Sequence, residues 1–276
     1  MSVFVRRSDP NILAAVAALL IWAGAAMADA PKRVVSINLC TDQLAMMLAA
    51  PGQLVSVSYL ARDRRSSAMA DLADGYPVNR GLAEDVFLLK PDLVLTGDYT
   101  TPATVAMLER LGVRVERFSL ATDFDQIADR LRQMGRALGR EAMGAAAAAR
   151  FEADVAGLQS DAGQRMARRA ALYYANGYTS GDDTLAGHIL AAAGLANIAS
   201  ELGMPAGGSL ALETLVMAGP DALITAERFE GHSRSEDILN HGVLRRVAES
   251  AARSTTNANW VCGTPHVLSA IEGLRE

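Results

Sequence analysis

Two carboxylates form the clearest chemical pattern in these 276 residues. LAEDVFLLKPDLVLT at Leu82–Thr96 lies without a gap over ALETLVMAGPDALIT at Ala211–Thr225, which puts Glu84 on Glu213, Pro91 on Pro220 and Asp92 on Asp221, each pair 129 residues apart. Each copy reads as a glutamate-bearing helical turn, a proline that stops it, and an apolar strand opening at aspartate; unrelated helix-to-strand junctions also reach such chemistry. A single glutamate in a first helical turn serves the helix dipole. A matched pair presents the same anionic contact twice. The remaining reactive side chains form no constellation. His188, His232, His241 and His266 stand in no HxxE or HExxH arrangement, and GxSxG, P-loop and CxxC sequences are absent. The usual signatures of nucleophilic, nucleotide-dependent and zinc-dependent catalysis are therefore missing. Cys40 and Cys262 lie too far apart for a zinc finger.

The elements that carry these carboxylates alternate. Arg33–Asn38 predicts a buried strand, followed by a helix around Leu44–Leu48 that either Thr41 or Asp42 caps. A strand at Leu54–Tyr59, a polar loop at Ala61–Val78, a helix at Glu84–Lys90 and a strand at Asp92–Thr96 come next, then a helix at Thr101–Leu111 and a strand at Val113–Phe118. The second half repeats the pattern: strand Ala170–Ala175, helices Thr184–Ala193 and Leu210–Ala218, strand Asp221–Thr225, helix Val243–Ser250, a last strand at Asn257–Val261 and a closing helix at His266–Leu274. Alternation of this kind implies parallel sheets with helices on their faces.

Between the halves the chain reads as almost continuous helix. Asp123 with Gln126 three residues on suggests a capping box, Ile127, Leu131, Met134 and Leu138 recur at helical spacing, and Gly139 is the break. Glu141–Met166 follows as a longer, alanine-rich helix of roughly 40 Å, either lying along one domain or joining two.

Arg6 and Arg7, the apolar run Ile12–Ala26 and Ala26-Met27-Ala28 fit an export signal cleaved before Asp29. An uncleaved anchor is the alternative. The division expected is a signal peptide over 1–28, an N-terminal α/β lobe over 29–122, a helical segment over 123–168 and a C-terminal α/β lobe over 169–276. The whole chain has 26 basic and 31 acidic side chains; without Arg6, Arg7 and Asp9, 24 and 30 remain, a balance that speaks against nucleic acid as a partner.

SINLCTDQLAMMLA, GLAEDVFLLKPDLVL, the central helix, YYANGYTSGDDTLAGHILAAAGLANIA and LALETLVMAGPDALI together resemble a periplasmic binding protein of the iron-chelate and cobalamin type. The resemblance implies two α/β lobes joined by a single long backbone helix, little hinge movement, and a ligand held between the lobes for delivery to an ABC permease dimer at the inner membrane. It implies no catalysis and no resident cofactor. Glu84 and Glu213 match the family's surface glutamates, one per lobe, which pair with permease arginines. The chain lacks the histidine-rich acidic loop of carriers of bare metal ions.

Ligands of open α/β sheets sit beyond the carboxyl ends of the strands. That rule nominates Asn38, Cys40, Tyr59, Arg62, Tyr99, Thr100, Asn176, Tyr178, Thr179, Arg228, Trp260 and Cys262. The aromatics offer flat faces to a macrocycle or catecholate rings, and Arg62 or Arg228 a counter-charge to an anionic chelate. Core aromatics and solvated arginines are the plainer reading. Cys40 and Cys262 admit a disulfide between lobes, two free buried thiols, or metal or haem ligation with His266. An iron–siderophore complex ranks first among the ligands, cobalamin second and haem third; an exported metal-cofactor enzyme is the alternative from another class.

Overall fold

The computed structural model describes residues 30–163, 166–227 and 233–275; the expected leader, Arg228 and His232 lie outside the described residues. Residues 31–276 form one compact unit. Its first half runs β1 (Val34–Ser36), α1 (Leu39–Leu48), β2 (Leu54–Ser58), α2 (Ala70–Ala73), β3 (Val78–Asn79), α3 (Ala83–Leu88), β4 (Leu93–Gly97), α4 (Pro102–Arg110) and β5 (Val115–Phe118). Then come α5 (Phe124–Leu138) and α6 (Glu141–Ala162). The second half is β6 (Arg168–Tyr173), β7 (Tyr178–Thr179), α7 (Leu185–Ala192), β8 (Leu195–Asn197), α8 (Ile198–Glu201) and β9 (Gly208–Ser209), followed by α9 (Leu212–Ala218), β10 (Ala222–Ala226), α10 (Gly242–Ser250), β11 (Ala252–Thr256) and α11 (Val267–Gly273).

Two separate sheets result. The first has the order β3-β2-β1-β4-β5 and the second β11-β10-β6-β8, each parallel throughout, with β7 and β9 forming a small antiparallel ribbon. Reversed, the second reads β8-β6-β10-β11 and repeats β2-β1-β4-β5. The repeat extends to register, since Val34 pairs with Leu93 and Ala170 with Ala222.

The glutamate–proline–aspartate cassettes explain that register. Asp92 accepts the backbone N–H groups of Lys32 and Arg33 at 2.7 and 2.9 Å, and Asp221 accepts that of Arg169 at 2.8 Å. The Arg33 guanidinium donates to the carbonyl of Leu89 at 2.7 Å, and that of Arg169 to the carbonyl of Ala218, 129 residues further on, at 2.6 Å. Just before each proline the chain turns left-handed, at Lys90 (φ 52°) and Gly219 (φ 58°). Aspartate and arginine thus pin the first strand of each lobe to the end of the cassette helix, which fixes the neighbouring strand beside it.

Asp123 caps α5 as expected, accepting the Gln126 N–H at 2.7 Å, and Gly139 ends it at φ 67°. α6 has 22 residues, about 33 Å. It is anchored to the second lobe through its neighbours: the Phe124 ring meets Phe151 edge-on at 6.2 Å and His188 of α7 at 5.8 Å. One apolar cluster accordingly runs from Val34 and Leu93 through Leu131 and Phe151 to Leu172 and Ile224.

α5 and α6 touch at Gly135 and Gly144, where a Cβ on Gly144 would lie 2.7 Å from the Leu131 carbonyl oxygen and 2.8 Å from the Gly135 Cα. Both obstacles are backbone. Gly144→Ala is expected to cost about 1–3 kcal/mol in urea unfolding despite alanine's better helix propensity; an unchanged midpoint would refute the close contact.

One expected strand is misplaced. The last strand of the second sheet is Ala252–Thr256, and Asn257–Val261 holds a 3-10 turn at Ala258–Trp260 instead. β11 is an edge strand in which none of Ala252, Arg253, Ser254, Thr255 and Thr256 is fully buried, so it lacks the apolar run that marks an interior strand.

Candidate functional site

Strand order in the first sheet reverses between β1 and β4, and the residues just past those strands meet there. Asn38 caps α1, its side-chain oxygen accepting the Cys40 and Thr41 N–H groups at 3.0 and 3.4 Å. β4 ends in glycine because a Cβ on Gly97 would come within 2.8 Å of the Asn38 amide. Asn38, Cys40, Tyr99, Leu120, Arg130 and Gly263 are among the residues enclosing a hollow of about 40 Å³. It has room for a few waters and none for a chelate.

Gly263 belongs to the other half of the chain. Cys40 and Cys262 form a disulfide with Cα atoms 5.3 Å apart, so neither sulfur is available as a thiolate ligand. Beside it the Thr264 hydroxyl donates to Gln43 Oε1 at 3.2 Å, and Gly263 packs so tightly that a Cβ there would meet the Ala121 methyl at 2.6 Å. The segment from Cys262 to Thr264 is buried against the first lobe, and Gly263 lines the small hollow.

A larger hollow of about 500 Å³ has a wall from each half: Arg64, Ser67, Met69 and Leu72 from the segment after β2, Asn257 and Asn259 from the turn after β11. Arg64 is the one cation among its described lining residues, and Arg62 stands outside that lining. Arg64 pairs with Asp71, and Arg62 donates to the carbonyls of Ala73, Asp74 and Tyr76, tying the loop to itself. What the carboxyl ends of the strands expose is aromatic: Tyr59 after β2 (56% exposed), Tyr99 after β4 (83%) and Tyr178 beyond β6 (47%). Tyr174 adjoins Tyr178, its phenol pushed above the usual range by burial and by Tyr178.

The other nominated residues divide. The Thr100 hydroxyl accepts the Gly97 N–H at 3.1 Å and shapes the turn below Tyr99. Asn176 is exposed in a left-handed conformation (φ 55°), whereas Thr179 is buried and donates to the Leu172 carbonyl. Trp260 is half-buried against the shared core. The structure thus joins Asn38, Cys40 and Tyr99 in one hollow, with Cys262 bonded to Cys40, and places Arg62, Thr100 and Thr179 where they hold backbone. Sequence reasoning missed Leu120, Arg130 and Gly263. Leu120 follows β5 by two residues, so the carboxyl-end rule would have found it; Arg130 lies inside a helix and Gly263 reaches the hollow only through the disulfide.

Glu84 and Glu213 are exposed in the first turns of α3 and α9, with no hydrogen bond or ion pair to either carboxylate among the described residues. Each helix leads back to the start of a parallel strand, which puts both glutamates at the carboxyl rim of their sheets. Tyr173, at the end of β6, registers one of them: burial raises its phenol pKa and the Glu213 charge adds to the rise.

Two α/β lobes of one topology, a shared core and a cleft walled from both sides define a two-lobed binding protein. The chain belongs to the Periplasmic binding protein family, whose profile matches residues 34–255. Members of this family bind substrates and are not enzymes. A cobalamin-binding protein of Halobacterium salinarum is 29% identical over 231 residues, 83% of this chain and 61% of that one, so the chain spans about three fifths of the curated relative's length. Two solved structures show the same fold. Periplasmic heme-binding protein RhuT from Roseiflexus sp. RS-1 has a TM-score of 0.71 at 19% identity, covering 88% of this chain and 98% of that one. An ABC-type Fe3+-hydroxamate transport system from Saccharomonospora viridis has 0.63 at 19%, covering 89% and 92%. Among the described residues no helix is long and apolar enough to cross a membrane.

Proposed function

We propose that this chain is the periplasmic substrate-binding component of an ABC importer, taking a corrinoid between its lobes and presenting Glu84 and Glu213 to a permease dimer. The observation that carries the ligand class is the mismatch between charge and surface at the cleft. Arg62 and Arg64 are committed to carbonyls and to Asp71, while Tyr59, Tyr99 and Tyr178 stand exposed. An anionic ferric catecholate would have to draw Arg62 off three backbone carbonyls, and Arg64 off an exposed ion pair. A large macrocycle of low net charge needs only apolar area and the phenol edges. This places the corrinoid ahead of the iron–siderophore complex that ranks first from sequence, and the similarity to a cobalamin-binding protein supports it. A ferric hydroxamate, whose chelate carries little charge, is the second reading, favoured by the fold match to a hydroxamate transport system.

The test uses the chain from residue 29 onward, in which Trp260 is the only tryptophan. Cyanocobalamin is expected to quench its fluorescence saturably, and Tyr99→Ala to weaken binding about tenfold. Saturation by a ferric hydroxamate or haemin with none by cyanocobalamin would reject the corrinoid.

A further inference from the structure

The cassette that carries each glutamate has a second repeated feature. Asp92 and Asp221 hold the incoming strands, the prolines end the helices, and the left-handed residues before them turn the chain. These parts have work inside the fold. Glu84 and Glu213 have no hydrogen bond or ion pair there among the described residues, and the apolar side chains one turn later on the same helical face are exposed beside them. Leu88, four residues after Glu84, is 77% exposed, and Met217, four after Glu213, is 87% exposed. Phe87 and Val216, three residues after the glutamates, are 43% and 40% exposed. Residues three and four apart are neighbours on a helix, so each carboxylate is flanked by two apolar side chains. The offset is again 129 for both pairs.

Scattered exposed apolar residues need no explanation, but the same anionic-plus-apolar patch at matched positions on two lobes does. Resting on the docking role proposed for the glutamates, we propose that each lobe contacts the permease through a carboxylate and an apolar pair, Leu88 with Phe87 on one side and Met217 with Val216 on the other. The occupant is a two-copy membrane protein that offers each lobe one basic side chain beside an apolar socket. Two arguments select it: the patch is duplicated in register, as two identical receptor subunits require, and its charge calls for a cation next to the apolar surface. The ionic part supplies orientation and encounter rate. The apolar part supplies affinity that salt does not screen.

The experiment measures binding of the full chain to the ABC permease–ATPase complex of its source organism in lipid nanodiscs, from about 50 to 500 mM NaCl. Leu88→Ser combined with Met217→Ser is expected to weaken binding roughly 100-fold at every salt concentration, leaving the salt dependence intact. Glu84→Gln combined with Glu213→Gln should flatten the salt dependence. Loss with the glutamine pair but none with the serine pair overturns the apolar contact and leaves the docking role standing. No effect of either pair overturns both. If the wild-type chain self-associates and the serine pair makes it monomeric, the face belongs to a second copy of this chain and the inference fails. Both substituted side chains are largely in solvent, so an unchanged melting temperature separates lost contact from lost fold.

Discussion

Replacing Cys40 and Cys262 together with serine is expected to lower unfolding free energy by about 5 kcal/mol, because the bond closes a loop spanning 222 residues. The chain-entropy estimate grows with loop length, and this loop is most of the described protein. Little of the effect should come from the folded state. The segment that Cys262 begins is also held by the Thr264 hydrogen bond to Gln43 and by the contact of Gly263 with Ala121, so the lobes stay joined when the sulfurs are gone. The variant should therefore keep its circular dichroism and its ligand affinity while its guanidinium midpoint falls. A midpoint equal to wild type would mean that the cross-link constrains nothing the unfolded chain would explore. Thiol titration of the denatured, unreduced wild-type protein gives an independent check, with no free thiol expected.

This bond also marks how far the sequence could be read. The duplicated cassette was legible because its structural parts act locally: aspartate at a strand start bonds the adjacent strand and proline stops a helix within a few residues, while the glutamate is marked by its place in the first turn. The capping of α5 by Asp123 was legible for the same reason. Pairing of Cys40 with Cys262 was one of three readings, since two cysteines say nothing about distance until the lobes are placed. Short elements failed differently. β8 and the β7–β9 ribbon have two or three residues each, too few for a period to show, and β11 is an exposed edge without an apolar run. At the site, the carboxyl-end rule found Asn38 and Tyr99 from order along the chain alone. It also nominated Arg62 and Thr179, whose hydrogen bonds to backbone carbonyls are set by how the loops fold back. Charge available to a ligand depends on such bonds, which the order of residues along the chain does not carry.

Stability should also fall between pH 4 and pH 6 because of one residue, Asp42. It lies on α1 directly behind the small hollow, fully buried, accepting the N–H and the hydroxyl of Ser58 from β2. Burial outweighs these donors and the Ser36 hydroxyl and raises its pKa from 3.8 to about 6. The folded protein consequently binds a proton more tightly than the unfolded chain does. The stabilisation from that proton is complete below about pH 4, fades through the window up to about pH 6, and is absent above it. A shift of this size corresponds to roughly 3 kcal/mol between the two ends. Asp42→Asn removes the titration while keeping an oxygen for the Ser58 N–H, and the serine hydroxyl can turn to accept from the new amide. Urea unfolding across this pH range should then show the variant gaining on wild type as pH rises. Matching slopes in the two proteins would mean that Asp42 is already ionised in the fold at pH 4.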